Sequence, residues 1–151
     1  MKLINGVGIK KLKKIITKDL DGRYNGWLID VLRGNDKIKS DKKNFSQLYV
    51  TTCLPKMTKG FHLHKKKTDH FCVVGGKAKL VLIDNRPYSS TFKIKNEFII
   101  GDDNPMVIRV PPGVKHGFKN IGKTVIYIIN YMNPPFDKND PDTESSKEDV
   151  W

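Results

Sequence analysis

The chain has 151 residues, of which 38% are hydrophobic and 29% charged, with a formal net charge of +12. That length suits one domain with a core needing no covalent staples, and no apolar run reaches the roughly 18 residues of a membrane-spanning helix. Only four of the 28 basic residues are arginine and the lysines run along the whole chain, so the charge favours an anionic small ligand over a nucleic-acid groove.

Taken in order, the N-terminal "MKLINGVGIKKLKKII" has its apolar residues interrupted by lysines. It lacks the apolar core of a signal peptide, and a cytoplasmic chain is expected. The stretch "KLKKIITKDLDGR" allows a helical turn or two before Asp and Gly break it. Beyond it the apolar runs are short: "WLIDVL", "SQLYVTTCL", "HFCVV", "AKLVLID", "MVIRVP" and "VIYIINYM", separated by "NRPYSS", "GDDNP" and "PPG". Many short strands with no long helix predict an all-β sandwich or barrel, a single domain over residues 1–132. The residues of "KAKLVLIDNR" alternate poorly, which suits a strand covered on both faces. Cys53 and Cys72 lie inside such runs and read as buried free thiols. From Asn133 the chain turns proline-broken and acidic, "NPPFDKNDPDTESSKEDVW", which reads as a tail over 133–151, mobile or draped over the surface.

Two stretches carry chemistry. "GFHLHKKKTDHFCVVGG", residues 60–76, holds His62, His64 and Asp69, and "VPPGVKHGFKN", residues 110–120, places His116 in a P-x-G-x-x-H-x-x-x-N spacing. Residues i and i+2 of a strand share a face, so His62 and His64 can both look into a barrel, while the P-x-G turn aims His116 inward from another strand. Three imidazoles and a carboxylate could hold a divalent transition metal. The same imidazoles, left free, could trade protons near neutral pH, or could simply be satisfied core groups. Asp69 is short for a ligand, and Lys65, Lys66 and Lys67 oppose a cation while favouring an anionic diphosphate, so a metal-free site is expected. His70, beyond the lysines, reads as structural.

These two spacings resemble the signature motifs of the cupin superfamily, with Asp69 where many members carry Glu. That resemblance implies a double-sheet jelly-roll barrel. In addition "DGRY", "FSQ", "KGFHLH", "LIDNRPYSSTF", "VPPGVKHGF" and "NYMNP" occur in one order. Over residues 19–135 they resemble the dTDP-4-dehydrorhamnose 3,5-epimerase family. The resemblance implies an isomerase without cofactor, in which His62 removes a proton beside the keto group of a nucleotide-diphosphate-linked 4-keto-6-deoxy sugar. It implies that Arg23 and Gln47 contact the nucleotide or its diphosphate, that Lys59 stands where the family has arginine, and that His116 lines the pocket. Asp84 and Arg86 match the family's V-D-x-R, where an ion pair or turn is the alternative role. "KGFHLHKK" is also similar to the R-G-x-H-x-H-K of sugar 3,4-ketoisomerases, in which two histidines share the proton, so His64 joins His62. The family's L-Y-K tyrosine aligns with Ile126, and its pocket lysine with Asp69; Tyr131, in "NYMNP", completes the catalytic candidates. The substrate-binding candidates are Arg23, Gln47, Lys59, His116 and Asp84. A homodimer is expected, with neither nucleic acid nor membrane as partner. A ketoisomerase, a metal-dependent cupin enzyme using His62, His64, Asp69 and His116, and a non-catalytic sugar-nucleotide-binding protein are the alternatives.

Overall fold

The computed structural model describes residues 2–18, 24–28, 31, 37–38 and 46–151. Among them the regular elements are strands: β1 (Gly8–Lys11), β2 (Ile15–Lys18), β3 (Tyr24–Leu28), β4 (Gln47–Cys53), β5 (Thr58–Leu63) and β6 (Thr68–Val74). They continue as β7 (Lys77–Asp84), β8 (Lys95–Gly101), β9 (Met106–Val110), β10 (Val114–Asn120), β11 (Ile126–Asn133) and β12 (Glu144–Ser145). One sheet runs in the order β1-β9-β6-β11-β4 and a second in the order β12-β5-β10-β7-β8, with β2 and β3 paired apart. Every pairing is antiparallel, and the two five-stranded sheets form the expected all-β double-sheet jelly roll. No helix among the described residues is long and apolar enough to cross a membrane.

The core lies between the sheets. Phe71 and Val73 of β6, Ile108 of β9 and Ile126 and Ile128 of β11 meet Ala78, Leu80 and Leu82 of β7 and Phe118 of β10. Burying such side chains stabilises the fold by roughly 1.5–3 kcal/mol each. Val81 points away from this core yet is also fully buried, which accounts for the poor alternation along β7. Cys53 and Cys72 are free and buried, as expected.

Two expectations change. The stretch 11–23 forms no helical turn over its described part: Ile15, Ile16 and Thr17 enter β2, since β-branched side chains favour an extended backbone. Nor is the acidic tail only draped. It supplies β12, which pairs with β5 at Leu63 and His62, and Ser146 exchanges both backbone hydrogen bonds with Phe61. Trp151 then packs against Phe61, the rings tilted by 38° with centroids 5.2 Å apart, and the Lys79 ammonium reaches the Val150 carbonyl.

Candidate active site

The two histidine-bearing motifs meet because β5 pairs with β10, with His62 directly opposite His116 and a register shift just beyond it. Gly60 makes this close approach possible. Its φ is +95°, and a Cβ there would sit 2.7 Å from the His116 carbonyl oxygen. The second motif's turn is tied to the first as well, since the Gly113 N–H donates to the His64 carbonyl at 2.7 Å. The resulting cavity, about 570 Å³, opens between the sheets and is lined by His62, His64 and His116 together with Phe71 and Phe118. The His64 and His116 ring centroids are 5.3 Å apart, and His62 lies 6.2 Å from His116.

The three imidazoles differ in setting. His62 is exposed at the mouth, whereas His64 and His116 are 7% and 5% exposed on the floor. Burial draws the His116 pKa down to about 4, so this ring is neutral at pH 7. His62 is also lowered, by partial burial first, then by His64 and more weakly by Lys59, with Asp69 opposing. His116 Nδ1 donates to the Val114 carbonyl at 3.3 Å, and His64 Nδ1 to the Asp142 carbonyl at 2.5 Å. A carbonyl can only accept, so each ring carries a hydrogen on Nδ1, and the neutral His116 ring has its lone pair on Nε2. Both Nε2 atoms face Asp69, whose Oδ2 lies 3.6 Å from His64 Nε2 and 3.9 Å from His116 Nε2. Asp69 Oδ1 accepts from Asn130 at 2.7 Å, but Oδ2 is buried without a hydrogen-bond partner.

Of the candidates from the sequence, His62, His64, His116, Gln47 and Lys59 all line this cavity. Gln47 accepts through Oε1 from the Phe136 N–H at 2.7 Å. Arg23 lies outside the described residues. The other two stand elsewhere. Along β11 the even residues Ile128 and Met132 face the cavity, so Tyr131 turns to the opposite face, where it lines a separate hollow of about 200 Å³ with His70 and Leu48. His70 is a fixed structural group there, its ring nitrogens 3.2 and 3.1 Å from the Tyr131 and Ile38 carbonyls. Asp84 does not line the cavity either. Its carboxylate accepts from Arg86, Ser89 and Thr91 and braces the turn between β7 and β8.

The structure adds residues that the sequence reading passed over. Tyr49 shares strand parity with Gln47 and so also faces the cavity, its hydroxyl accepting from Asn130 Nδ2 at 3.0 Å. Burial raises the Tyr49 pKa, with Asn130 opposing and Asp69 adding to the rise. Parity with the F-x-Q glutamine was the signal available for it. Lys67 is 2% exposed, bonds the Pro141 carbonyl and lies 5.3 Å from the Phe136 ring centroid. Phe136 and Thr143, both from the acidic tail, complete the lining.

The lysine run is not a bare positive patch. Lys65 pairs with Glu144 and Lys66 with Asp140, so tail acids answer the charges that were expected to repel a cation.

The family model described as polysaccharide biosynthesis C-terminal domain matches residues 28–144. The chain belongs to this family. The spore coat polysaccharide biosynthesis protein SpsL of Bacillus subtilis is 31% identical over 140 residues, covering 93% of this chain and 87% of that protein. A protein of Haloferax volcanii described as a probable low-salt glycan biosynthesis epimerase is 33% identical over 121 residues, covering 79% of this chain and 76% of its own. Among solved structures, a dTDP sugar isomerase of Desulfovibrio desulfuricans superposes with a TM-score of 0.85 at 26% identity, covering 97% of this chain and 87% of that one. The resemblance to cupin-type sugar epimerases and isomerases read from the motifs is therefore borne out in sequence and in fold.

Proposed function

We propose that the chain is an epimerase acting on a nucleotide-diphosphate-linked 4-keto-6-deoxy sugar, with His62 as the base that removes the proton beside the keto group. The observation that carries this reading is the placement of His62. It stands at the open mouth of a histidine-lined cavity, with its pKa held below the ordinary value so that it is unprotonated at neutral pH. The keto group acidifies the neighbouring C–H, and transfer of that proton to His62 leaves an enolate. The buried Lys67 ammonium supplies positive charge within the same cavity for the developing oxyanion. Tyr49, on the wall built by β4, keeps its proton because its pKa is raised, and returns a proton to the opposite face of the carbon. Exchange with solvent then resets His62 and Tyr49. Lys59 at the mouth suits the diphosphate. The names of the relatives support this substrate class.

The test is deuterium uptake from solvent into a panel of nucleotide-linked 4-keto sugars, read by NMR. His62→Asn should lose about two to four orders of magnitude in rate with binding retained. Comparable exchange in the variant overturns the assignment. A product with its keto group moved to C3 identifies the ketoisomerase instead. The homodimer expected from the resemblance belongs to this reading and is tested by sedimentation.

A second reading rests on Asp69. Its partnerless buried Oδ2 and the two converging Nε2 atoms lie within 4.8 Å of one another, a two-histidine, one-carboxylate donor set that fits a divalent transition metal. His64, Asp69 and His116 would hold it, with His62 outside the set. Bound there, a metal would polarise the keto oxygen as a Lewis acid. Under the first reading exhaustive chelation leaves deuterium exchange unchanged. Loss of exchange on chelation, restored by one added metal, selects the second.

A further inference from the structure

β5 carries His62 and ends at Leu63, just before His64, and without β12 it would be the open edge of its sheet. The tail that closes this edge also reaches His64 from the side. Asp142 grips residues 64–67 with two different groups. Its carboxylate accepts three consecutive backbone N–H groups, from Lys65 at 2.8 Å, Lys66 at 2.9 Å and Lys67 at 3.1 Å. Its backbone carbonyl accepts from His64 Nδ1. The neighbouring Thr143 hydroxyl lies 3.4 Å from the same nitrogen. A φ of 44° at Asp142 lets it turn both groups to the loop, a left-handed conformation that Asp and Asn tolerate better than other side chains.

We propose that the tail is a positioning element of the histidine site, with Asp142 as its positioning residue: anchored on the Lys65–Lys67 amides, it holds His64 as the Nδ1–H tautomer, so that Nε2 is offered unprotonated toward Asp69 and His116. Free histidine in water favours the other tautomer, with hydrogen on Nε2. An Nε2–H tautomer would turn the Nδ1 lone pair on the Asp142 carbonyl at 2.5 Å, an acceptor facing an acceptor. The ion pairs Lys65–Glu144 and Lys66–Asp140 flank the anchor, but they are exposed and worth little. The specific element is the carboxylate on three amides, which act together as an anion-binding nest. The consequence for catalysis rests on the proton-transfer reading above; the tautomer itself does not.

The test uses the full-length chain with ¹⁵N-labelled histidine and long-range ¹H–¹⁵N correlation at about pH 8, without substrate. The wild type is expected to show His64 protonated on Nδ1. Asp142→Ala should move His64 toward Nε2–H, while Asp142→Asn, which keeps an acceptor oxygen and tolerates the left-handed turn, should retain mostly Nδ1–H. In turnover, Asp142→Ala should lower kcat by about 10- to 100-fold, as expected when the 64–67 loop that carries the Lys67 charge shifts beside His62, with KM little changed and with Asp142→Asn restoring most of the loss. A wild-type His64 protonated on Nε2, or an Asp142→Ala protein that keeps the wild-type tautomer, would overturn the proposal. The wild-type measurement stands even if Asp142→Ala does not fold. Because the spectra need no turnover, failure of the epimerase reading would leave them unaffected.

Discussion

Asp84→Asn separates a bracing role from a substrate-binding one. The Asp84 side chain has no exposed surface, and its two oxygens accept five hydrogen bonds: Arg86 N at 3.0 Å, Arg86 Nε and Nη2 at 2.8 Å each, Ser89 Oγ at 2.7 Å and Thr91 Oγ1 at 2.6 Å. Asparagine would present an NH₂ group to donors and leave the guanidinium without its counter-charge. Breaking a buried ion pair from one side costs about 3–5 kcal/mol. The Arg86 side chain is 28% exposed and keeps its bond to the Asn5 carbonyl, which softens the loss to about 2–4 kcal/mol. Urea unfolding should show the midpoint falling by that equivalent with m unchanged, and the melting temperature falling by roughly 5–15 °C. Burial pushes the Asp84 carboxyl upward, but the bonds from Arg86, Thr91 and Ser89 outweigh it and hold the group well below the usual carboxylate range. A depressed pKa means that the unfolded chain takes up the proton first as pH falls. This contribution is therefore present above about pH 4 and drains away below it, so the stability gap between wild type and variant should shrink in acid. Affinity for a nucleotide sugar should stay within about twofold wherever both proteins are folded, because Asp84 does not line the cavity. A variant as stable as the wild type but weakened in ligand binding would refute the reasoning and return Asp84 to the substrate.

Tyr49→Phe removes the proposed proton donor and one hydrogen bond to Asn130. Its turnover should fall by about two orders of magnitude or more while urea stability drops by only about 0.5–1.5 kcal/mol; equal losses in binding and turnover would argue against the role. Cys72 has its thiol pushed up to about 11, chiefly by burial, so iodoacetamide at about pH 8 should leave it unlabelled in the native protein and modify it in urea; rapid native labelling would mean that β6 opens far more readily than its packing implies.

The all-β class was legible because the sequence places its β-branched runs between Gly, Pro and Asn clusters, and tertiary packing kept them as strands. The histidine site was legible for a related reason. The i and i+2 spacing of His62, on β5, and His64, just past its end, keeps both on the cavity side, and the P-x-G turn does deliver His116. Tyr131 shows where string matching fails. The residues of "NYMNP" are all present, but strand parity sends Asn130 inward to Asp69 and Tyr49 and sends Tyr131 outward to His70. No match of letters carries that parity. For a different reason, the strand pairing of the tail was not legible. Its composition lacks the apolar content to form a core, but it needs none, because β5 offers an unpaired edge and the 65–67 loop offers three amides and matching charge. Those complements lie some 75 residues away in sequence.

One consequence of that pairing concerns where a diphosphate can act. Lys65 and Lys66 are answered by tail acids, and Lys67 by the Pro141 carbonyl, which leaves Lys59, at the mouth beside His62, as the described lysine best placed for an anionic ligand. Lys59 is also one of the groups that lower the His62 pKa, after partial burial and His64. A diphosphate docked on Lys59 cancels that contribution and adds negative charge nearby, so His62 becomes a stronger base in the complex than in the free enzyme. The unprotonated form is the active one, so rate rises with pH through the His62 pKa. The limb of kcat, which reports the complex, should therefore lie at higher pH than the limb of kcat/KM, which reports the free enzyme. Lys59→Gln should raise KM and bring the two limbs together, because the free-enzyme pKa rises once the charge is gone. Coincident limbs in the wild type, or a kcat limb displaced to lower pH, would show that the diphosphate does not sit on Lys59.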